Sequence, residues 1–323
     1  MAVYTRVASE DIATFLQRYD VGTLRSAKGI AEGVENSNYL IETSKDRYIL
    51  TLYEKRVDPA DLPFFIALLD HLAERDLTVP PMIADKSGEK IQTLAGRTAC
   101  LIRYLPGISL TQPTAAQALS AGRALGDMHQ AVRDFAMQRR NSMGPESWHE
   151  LAADIGADAL EEIGAGLAET INATLADIDA HWPADEPQTA IHADLFPDNV
   201  LMLGDDVTGM IDFYFSCTDI RAYDLAVTHT AWCFSEDGRA FDQAISAALL
   251  KGYFSVITHH MQEFAAARLA LLARGASLRF LLSRAYDWIH TPPDALVTRK
   301  DPLAFARRLA FYSDPANADI FAV

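Results

Sequence analysis

The sequence predicts an α+β protein of two unequal lobes: a small N-terminal sheet with one covering helix, then a larger, mainly helical C-terminal part. Three observations predict it. At 323 residues the chain exceeds what a single hydrophobic core usually organises. Up to about residue 102 the segments run strands, helix, strands, and beyond it the apolar spacing is helical almost throughout. Between the two, "LIRYLPG" takes a strand out into Pro106 and Gly107. The expected lobes are therefore residues 1–102 and 103–323.

Element by element, "SEDIATFLQRYD" places Ile12, Phe15, Leu16 and Tyr19 at helical spacing behind a capping Ser9. "SAKGIAEGVENSNYLIETS" and "DRYILTLYEK" alternate as strands of a meander. "DPADLPFFIALLDHLAERDL" reads as the covering helix, with Pro59 in its first turn. "MIADKSGEKIQTLAGRTACLIRYLPG" suggests a pair of hairpins turned at "KSGEK" and "LAGR". Helical periodicity then takes over in "TAAQALSAGRALGDMHQAV" and "DALEEIGAGLAETINATLADIDAHW", and returns in long helices from about 222 to 290. The interruption is "TAIHADLFPDNVLML" with "VTGMIDFYFSCTDIRAYDLA".

The charge balance narrows the function. With 28 basic against 44 acidic side chains the formal charge is -16, and no Lys/Arg-rich stripe occurs, so nucleic acid is not an expected partner. An anionic nucleotide would need metal ions, backbone amides or a few placed cations. Cys100, Cys217 and Cys233 are odd in number and widely spaced, which suggests reduced, intracellular chemistry. No basic-then-apolar leader opens the chain, and no apolar run approaches the roughly 20 residues of a membrane span, so a cytoplasmic location is expected.

The chemistry concentrates in "HADLFPDN", residues 192–199. If "NVLML" and "VTGMID" are the arms of a hairpin turned at "GDD", Asn199 and Asp212 return to one end of it and face one pocket. Two oxygen donors there suit Mg²⁺, which completes its octahedron with waters and substrate phosphates. Asp194, on the loop before the hairpin, is placed to accept a proton from a nucleophile beside the metal. The loop is expected to be the floor of a phosphoryl-transfer site, at the base of a cleft between the lobes.

His-x-Asp, four residues, Asn, then an Ile-Asp-Phe strand end, behind a strand-rich lobe, resembles the protein-kinase-like fold. "LIRYLPG", "ALGDMHQA", "HADLFPDN", "IDF" and "YDLA" occur in the order seen in aminoglycoside and choline kinases. "KGIAEGVENSNYLIET" with "YILTLYEKRVDPADLPFF" is most similar to the bacterial homoserine kinases of that fold. The resemblance implies ATP-dependent phosphorylation of the homoserine side-chain hydroxyl, in threonine biosynthesis, with ATP and Mg²⁺. It implies Asp194 as catalytic base, Asn199 and Asp212 as metal ligands, His192 as a structural support, and Asp224 as an anchor of a helix to the loop.

The pattern also departs from the family. A kinase usually has a cation on the third strand, where Thr51 stands, paired with an acid on the next helix, where the chain has "LPFFIALL". Loss of both together avoids a buried unpaired acid. Lys28, Lys55 and Arg56 are candidate substitutes for holding the α and β phosphates. The nucleotide loop is short of glycine, leaving Gly29, Gly33, Asn36, Ser37 and Asn38 as candidates, with the backbone of Arg103 to Leu105 for the adenine. Turn formation explains Asn36 and Asn38 equally well.

Homoserine carries an ammonium and a carboxylate besides its hydroxyl, so Asp219, Arg221 and Arg279 are expected to bind it, salt bridging being the alternative use of those residues. His259 and His260 are expected on a helix surface, and Trp232, Trp288 and Tyr286 in the core or a pocket wall. The competing functions are a kinase of choline, an amino sugar or methylthioribose, a catalytically silent nucleotide-binding regulator, and a metal-dependent phosphoesterase. The last lacks a ligand motif such as H-E-x-x-H.

Overall fold

The computed structural model describes residues 5–30, 36–54, 58–291 and 299–322. The chain divides into two compact units, Met1–Pro106 and Gly107–Val323.

In the first unit, α1 (Ser9–Leu16) precedes β1 (Leu24–Gly29), β2 (Asn36–Thr43) and β3 (Arg47–Tyr53), then α2 (Leu62–Ala73), β4 (Gln92–Leu94) and β5 (Arg97–Arg103). The strands form one antiparallel sheet in the order β1-β2-β3-β5-β4. Ile12, Phe15 and Leu16 of α1 share a buried cluster with Ile41, Leu50, Leu52 and Leu101 of the sheet. The helix expected only to open the chain therefore covers the sheet. α2 buries Leu62, Phe64, Phe65, Leu68, Leu69 and Leu72, a stripe wide enough to exclude an ionised group from that face. The "LAGR" hairpin forms, with Ala95 and Gly96 both in the left-handed region (φ 51° and 74°). The "KSGEK" segment does turn, held by Asp85 accepting from Ser87 and Glu89 amides at 2.8 and 3.0 Å. Its first arm, however, is reduced to one bridge between Met82 and Ile102, so one hairpin stands where two were expected.

The second unit opens with β6 (Ile108–Ser109) and α3 (Ala115–Ala131), followed by α4 (Pro145–Ile155), α5 (Ala157–Ile163), α6 (Leu167–His181), β7 (Gln188–Ile191), β8 (Val200–Leu203) and β9 (Asp206–Met210). It ends with β10 (Cys217–Ile220), α7 (Arg221–Trp232), α8 (Gln243–Phe254), α9 (Ala266–His290) and α10 (Leu303–Ser313). A capping box starts α3: Thr114 Oγ1 accepts from the Gln117 amide and Gln117 Oε1 from the Thr114 amide. α5 and α6 are separated by Gly164 to Gly166, with Gly166 at φ 77° capping α6. α9 buries residues around much of its circumference and α7 buries every one of its residues except the first, which places both at the centre of the helical unit. Two small antiparallel ladders interrupt the helices, β10 with β7 and β6-β8-β9, and the loop between β7 and β8 is "HADLFPDN". Among the described residues no helix is long and apolar enough to cross a membrane.

Candidate active site

The β7–β10 pair sets Ile191 opposite Cys217, so the chain leaves β7 at His192 with its direction fixed. The next residue, Ala193, adopts φ 64°, a conformation costing an L-residue about 1–2 kcal/mol. Three hydrogen bonds hold it there. Asp224 on α7 accepts from the His192 amide at 2.8 Å and the Ala193 amide at 2.7 Å. On the other side, Arg279 on α9 donates to the Ala193 carbonyl oxygen. The buried Asp224 carboxylate also accepts from His129 Nε2 at 2.9 Å, and His129 Nδ1 meets the Tyr253 hydroxyl at 2.9 Å. Burial alone would raise the Asp224 pKa; the bond and charge of His129, with His192 adding to both, outweigh it and hold the carboxyl below its ordinary value.

The His192 tautomer follows from its neighbours. Its Nδ1 accepts from the Asp194 amide at 3.3 Å, so the proton is on Nε2, which donates to the Ile211 carbonyl at 3.0 Å. Burial lowers its pKa and keeps it neutral, and the ring packs on Phe213 at 4.5 Å. His192 thus ties the loop to the strand that ends in "IDF". Trp232 adds another tie, donating from Nε1 to the Leu195 carbonyl at 2.9 Å.

Asn199 closes the loop on itself. Its Nδ2 donates to the Asp194 carbonyl at 2.7 Å and to Asp194 Oδ2 at 3.1 Å. With the amide nitrogen so engaged, Oδ1 is the atom left to coordinate a cation. β8 and β9 pair Val200 with Met210, and the Ile211 amide donates to the Asn199 carbonyl at 3.0 Å. This brings Asp212 alongside Asn199, at φ 64°, where the hairpin ends. One amide oxygen and one carboxylate fit a hard divalent cation that takes its other ligands from phosphates and water. Among the described residues no group of three or more His, Cys, Asp or Glu side chains could hold a metal unaided.

The nucleotide candidates lie in the first unit. Thr51 on β3 faces Asn38 on β2, its Oγ1 donating to Asn38 Oδ1 at 2.8 Å, and is buried. Ser37 donates to Glu54 Oε1 at 2.7 Å, and Glu54 pairs with Arg97 at 3.2 Å. That acid–base pair gave no sequence signal. Asn36 is buried, its Oδ1 without a hydrogen-bond partner among the described residues. Lys28 is exposed on β1, Arg103 is exposed at the end of β5, and Leu105 is half-buried. Gly33, Lys55 and Arg56 lie outside the described residues.

The acceptor candidates are each engaged by protein. Asp219 takes the Asn141 amide at 2.6 Å and its neighbour Ile220 N–H at 2.7 Å; burial pushes its carboxyl up, against both bonds. Arg221 pairs with the buried Glu263 and lies over Phe264. Arg279, only 2 % exposed, spans Phe215, Phe280 and the Ala193 carbonyl. The two arginines form contacts inside the protein at the groups expected to meet substrate. His259 and His260 are exposed beside a short 3-10 turn, outside any α-helix.

Residues 26–263 match the model of a family described as "Phosphotransferase enzyme family". The chain belongs to the phosphotransferase enzyme family. It is 52% identical over 316 residues to a protein of Zymomonas mobilis named homoserine kinase, covering 97% of this chain and 98% of that one. A Rhizobium meliloti protein of the same name is 49% identical over 312 residues, covering 97% and 94%. The fold of this phosphotransferase is similar to that of an amicoumacin kinase solved with AMP-PNP and Ca²⁺, with TM-score 0.70 at 14% identity over 98% of this chain and 94% of that one. The small antiparallel sheet followed by a larger helical part is the kinase-like arrangement of that neighbour.

Proposed function

We propose that this chain transfers the γ-phosphoryl group of ATP to the side-chain hydroxyl of L-homoserine, yielding O-phospho-L-homoserine for threonine biosynthesis. The observation that carries the reading is the Asp194–Asn199 contact at the root of the β8–β9 hairpin, in a chain about half identical to proteins named homoserine kinase.

In this reading Asp194 orients the acceptor hydroxyl and takes its proton as the oxygen attacks phosphorus in line with the departing ADP. Asn199 fixes the Asp194 carboxylate with one end of its amide and offers the other to a cation. Asn199 and Asp212 would hold Mg²⁺, which when bound neutralises charge on the phosphoryl oxygens. Asp224, His192 and Arg279 touch no reacting atom and hold the loop in the one conformation that presents Asp194. In the first unit, Asn36, Ser37, Asn38 and Thr51, with Gly33 and the backbone of Arg103 to Leu105, would receive the nucleotide. Asp219, Arg221 and Arg279 would meet the acceptor's charged ends only by sharing groups with their present partners.

The test is ADP release by the purified protein with ATP and Mg²⁺, offered homoserine, choline, an amino sugar and methylthioribose in turn. Release with homoserine at a kcat/KM well above the other three is the expected outcome. Preference for another acceptor would reassign the substrate, and nucleotide binding without release for any of them would leave a regulator.

A further inference from the structure

Around the catalytic loop's own Phe196 the chain gathers a cluster of aromatic rings and arginines. Phe196 meets Phe280 edge-on at 4.8 Å and Phe305 at 6.3 Å, and Phe280 meets Phe305 at 5.1 Å. Three guanidinium groups lie on these rings: Arg279 over Phe280 at 4.6 Å, Arg284 over Phe305 at 4.4 Å and Arg308 over Phe305 at 4.3 Å. In a chain of formal charge -16 such cations have many acids to choose from, yet none of the three has a carboxylate within ion-pair distance among the described residues.

Their hydrogen bonds divide them. Arg279 is bound to the Ala193 carbonyl, and Arg308, 3 % exposed, donates to the Ser235 carbonyl at 3.0 Å while its Nε and Nη1 are buried without partners among the described residues. Arg284 is half-buried and, among the described residues, makes one long bond, 3.3 Å to the Asp301 carbonyl. Burial lowers its pKa to about 10, with the fields of Asp301, Asp194 and Asp198 opposing. The Phe305 ring beneath it lies 6.3 Å from Phe196, two residues after the proposed catalytic base. A cation held on a ring, partly dehydrated and not neutralised by a close acid, is a preorganised anion site.

We infer that Arg284 binds the α-carboxylate of the acceptor, with Arg308 on the same Phe305 ring adding to the positive field. The inference rests on the proposal that homoserine is the acceptor. It assigns the carboxylate to a residue the sequence did not single out, on α9 beyond Arg279 and past the next turn of the helix. An acceptor anchored there is selected by its carboxylate, so that an amino alcohol without one binds poorly.

The probes are homoserine and 3-aminopropan-1-ol, which is homoserine without its carboxylate. In Arg284→Met the KM for homoserine rises about ten- to a hundredfold, the loss of a charge-assisted pair. The KM for ATP and the kcat/KM for 3-aminopropan-1-ol stay within about twofold of the unsubstituted protein. Arg284→Gln, closer in length and polar, is expected to show the same split and serves if the Met variant does not fold. An unchanged homoserine KM, or an equal loss with both acceptors, would overturn the inference while leaving the activity in place. Failure of the unsubstituted protein to phosphorylate homoserine would overturn the functional proposal and this assignment with it.

Discussion

Arg279 donates a hydrogen bond to the carbonyl oxygen of Ala193, 86 residues before it, and so fixes the peptide unit that leads into Asp194. Asp224 holds the amide on the other side of the same residue at 2.7 Å. A left-handed alanine is kept only if its surroundings over-determine it, and here a buried cation and a buried anion do so from two helices. The arrangement separates two uses of Arg279. If it serves the loop, Arg279→Met lowers kcat with little change in the homoserine KM and also lowers Tm, since an unsatisfied buried carbonyl costs about 1–3 kcal/mol. A rise in the homoserine KM at constant kcat would show that Arg279 grips substrate instead.

The proposed base has a sharper signature. Asp194→Asn keeps the side-chain volume and removes the proton acceptor, so turnover is expected to fall about 10²–10⁴-fold with Tm nearly unchanged. Steady-state kcat alongside a thermal melt checks both halves. Full turnover in a folded variant would sink the role assigned to this carboxylate.

If the cation proposed for the hairpin root is held there, the rate of an Asp212 variant depends more steeply on Mg²⁺ supply. Asp212→Asn leaves one neutral oxygen in place of a charged one, and the Mg²⁺ concentration for half-maximal rate should rise at least about tenfold. Titrating the rate with Mg²⁺ at fixed ATP distinguishes this from a folding defect, which would lower the plateau without moving the midpoint.

What the sequence discloses here is what is local. His192, Asp194, Asn199 and Asp212 fall on one loop and one hairpin, so spacing and the "GDD" turn suffice to bring them together. The partner of Arg279 was not legible, because it depends on how α9 crosses a loop 86 residues earlier. The same holds for Asn141 with Asp219, 78 residues apart, and for Trp232 with Leu195. The "KSGEK" arm misled because turn chemistry was present while the strand before it had only Met82 to pair. The place of α1 against the sheet is not legible for a similar reason: its apolar spacing predicts a helix and says nothing of what that helix covers.

Acid sensitivity follows from a histidine away from the loop. His229 on α7 is fully buried between the Tyr312 hydroxyl and Ser246 Oγ, both at 2.7 Å, and burial lowers its pKa from 6.5 to about 3. The unfolded chain therefore takes up this proton first as pH falls. Its contribution is complete above pH 6.5 and is lost progressively toward about 3, on the order of a few kcal/mol in all. His192, lowered in the same direction by burial, adds to the slope. Asp224, held below its ordinary value, matters only further down, below the usual carboxylate range. The urea midpoint should drop between pH 7 and pH 5, and less steeply in His229→Gln. Identical slopes in the two proteins would remove His229 as the cause.

Helices α3 and α8 approach each other through glycine. A Cβ on Gly122 of α3 would stand 2.1 Å from the Leu249 carbonyl oxygen of α8, and one on Gly252 of α8 would stand 2.0 Å from the Leu119 oxygen of α3. The two helices thus meet backbone to backbone through a reciprocal pair of glycines, and neither obstacle is a side chain that can swing away. In an isolated helix Gly→Ala would stabilise by about 1 kcal/mol. Here overpacking, about 1–3 kcal/mol, opposes and outweighs it. Gly122→Ala and Gly252→Ala should each lower Tm, and the double variant should lose less than the sum, because one displacement of α8 relieves both clashes. Since α3 carries His129, which donates to Asp224, the displacement should also weaken the loop's support and lower kcat along with Tm. A higher Tm in either single variant would show that the helices part without cost.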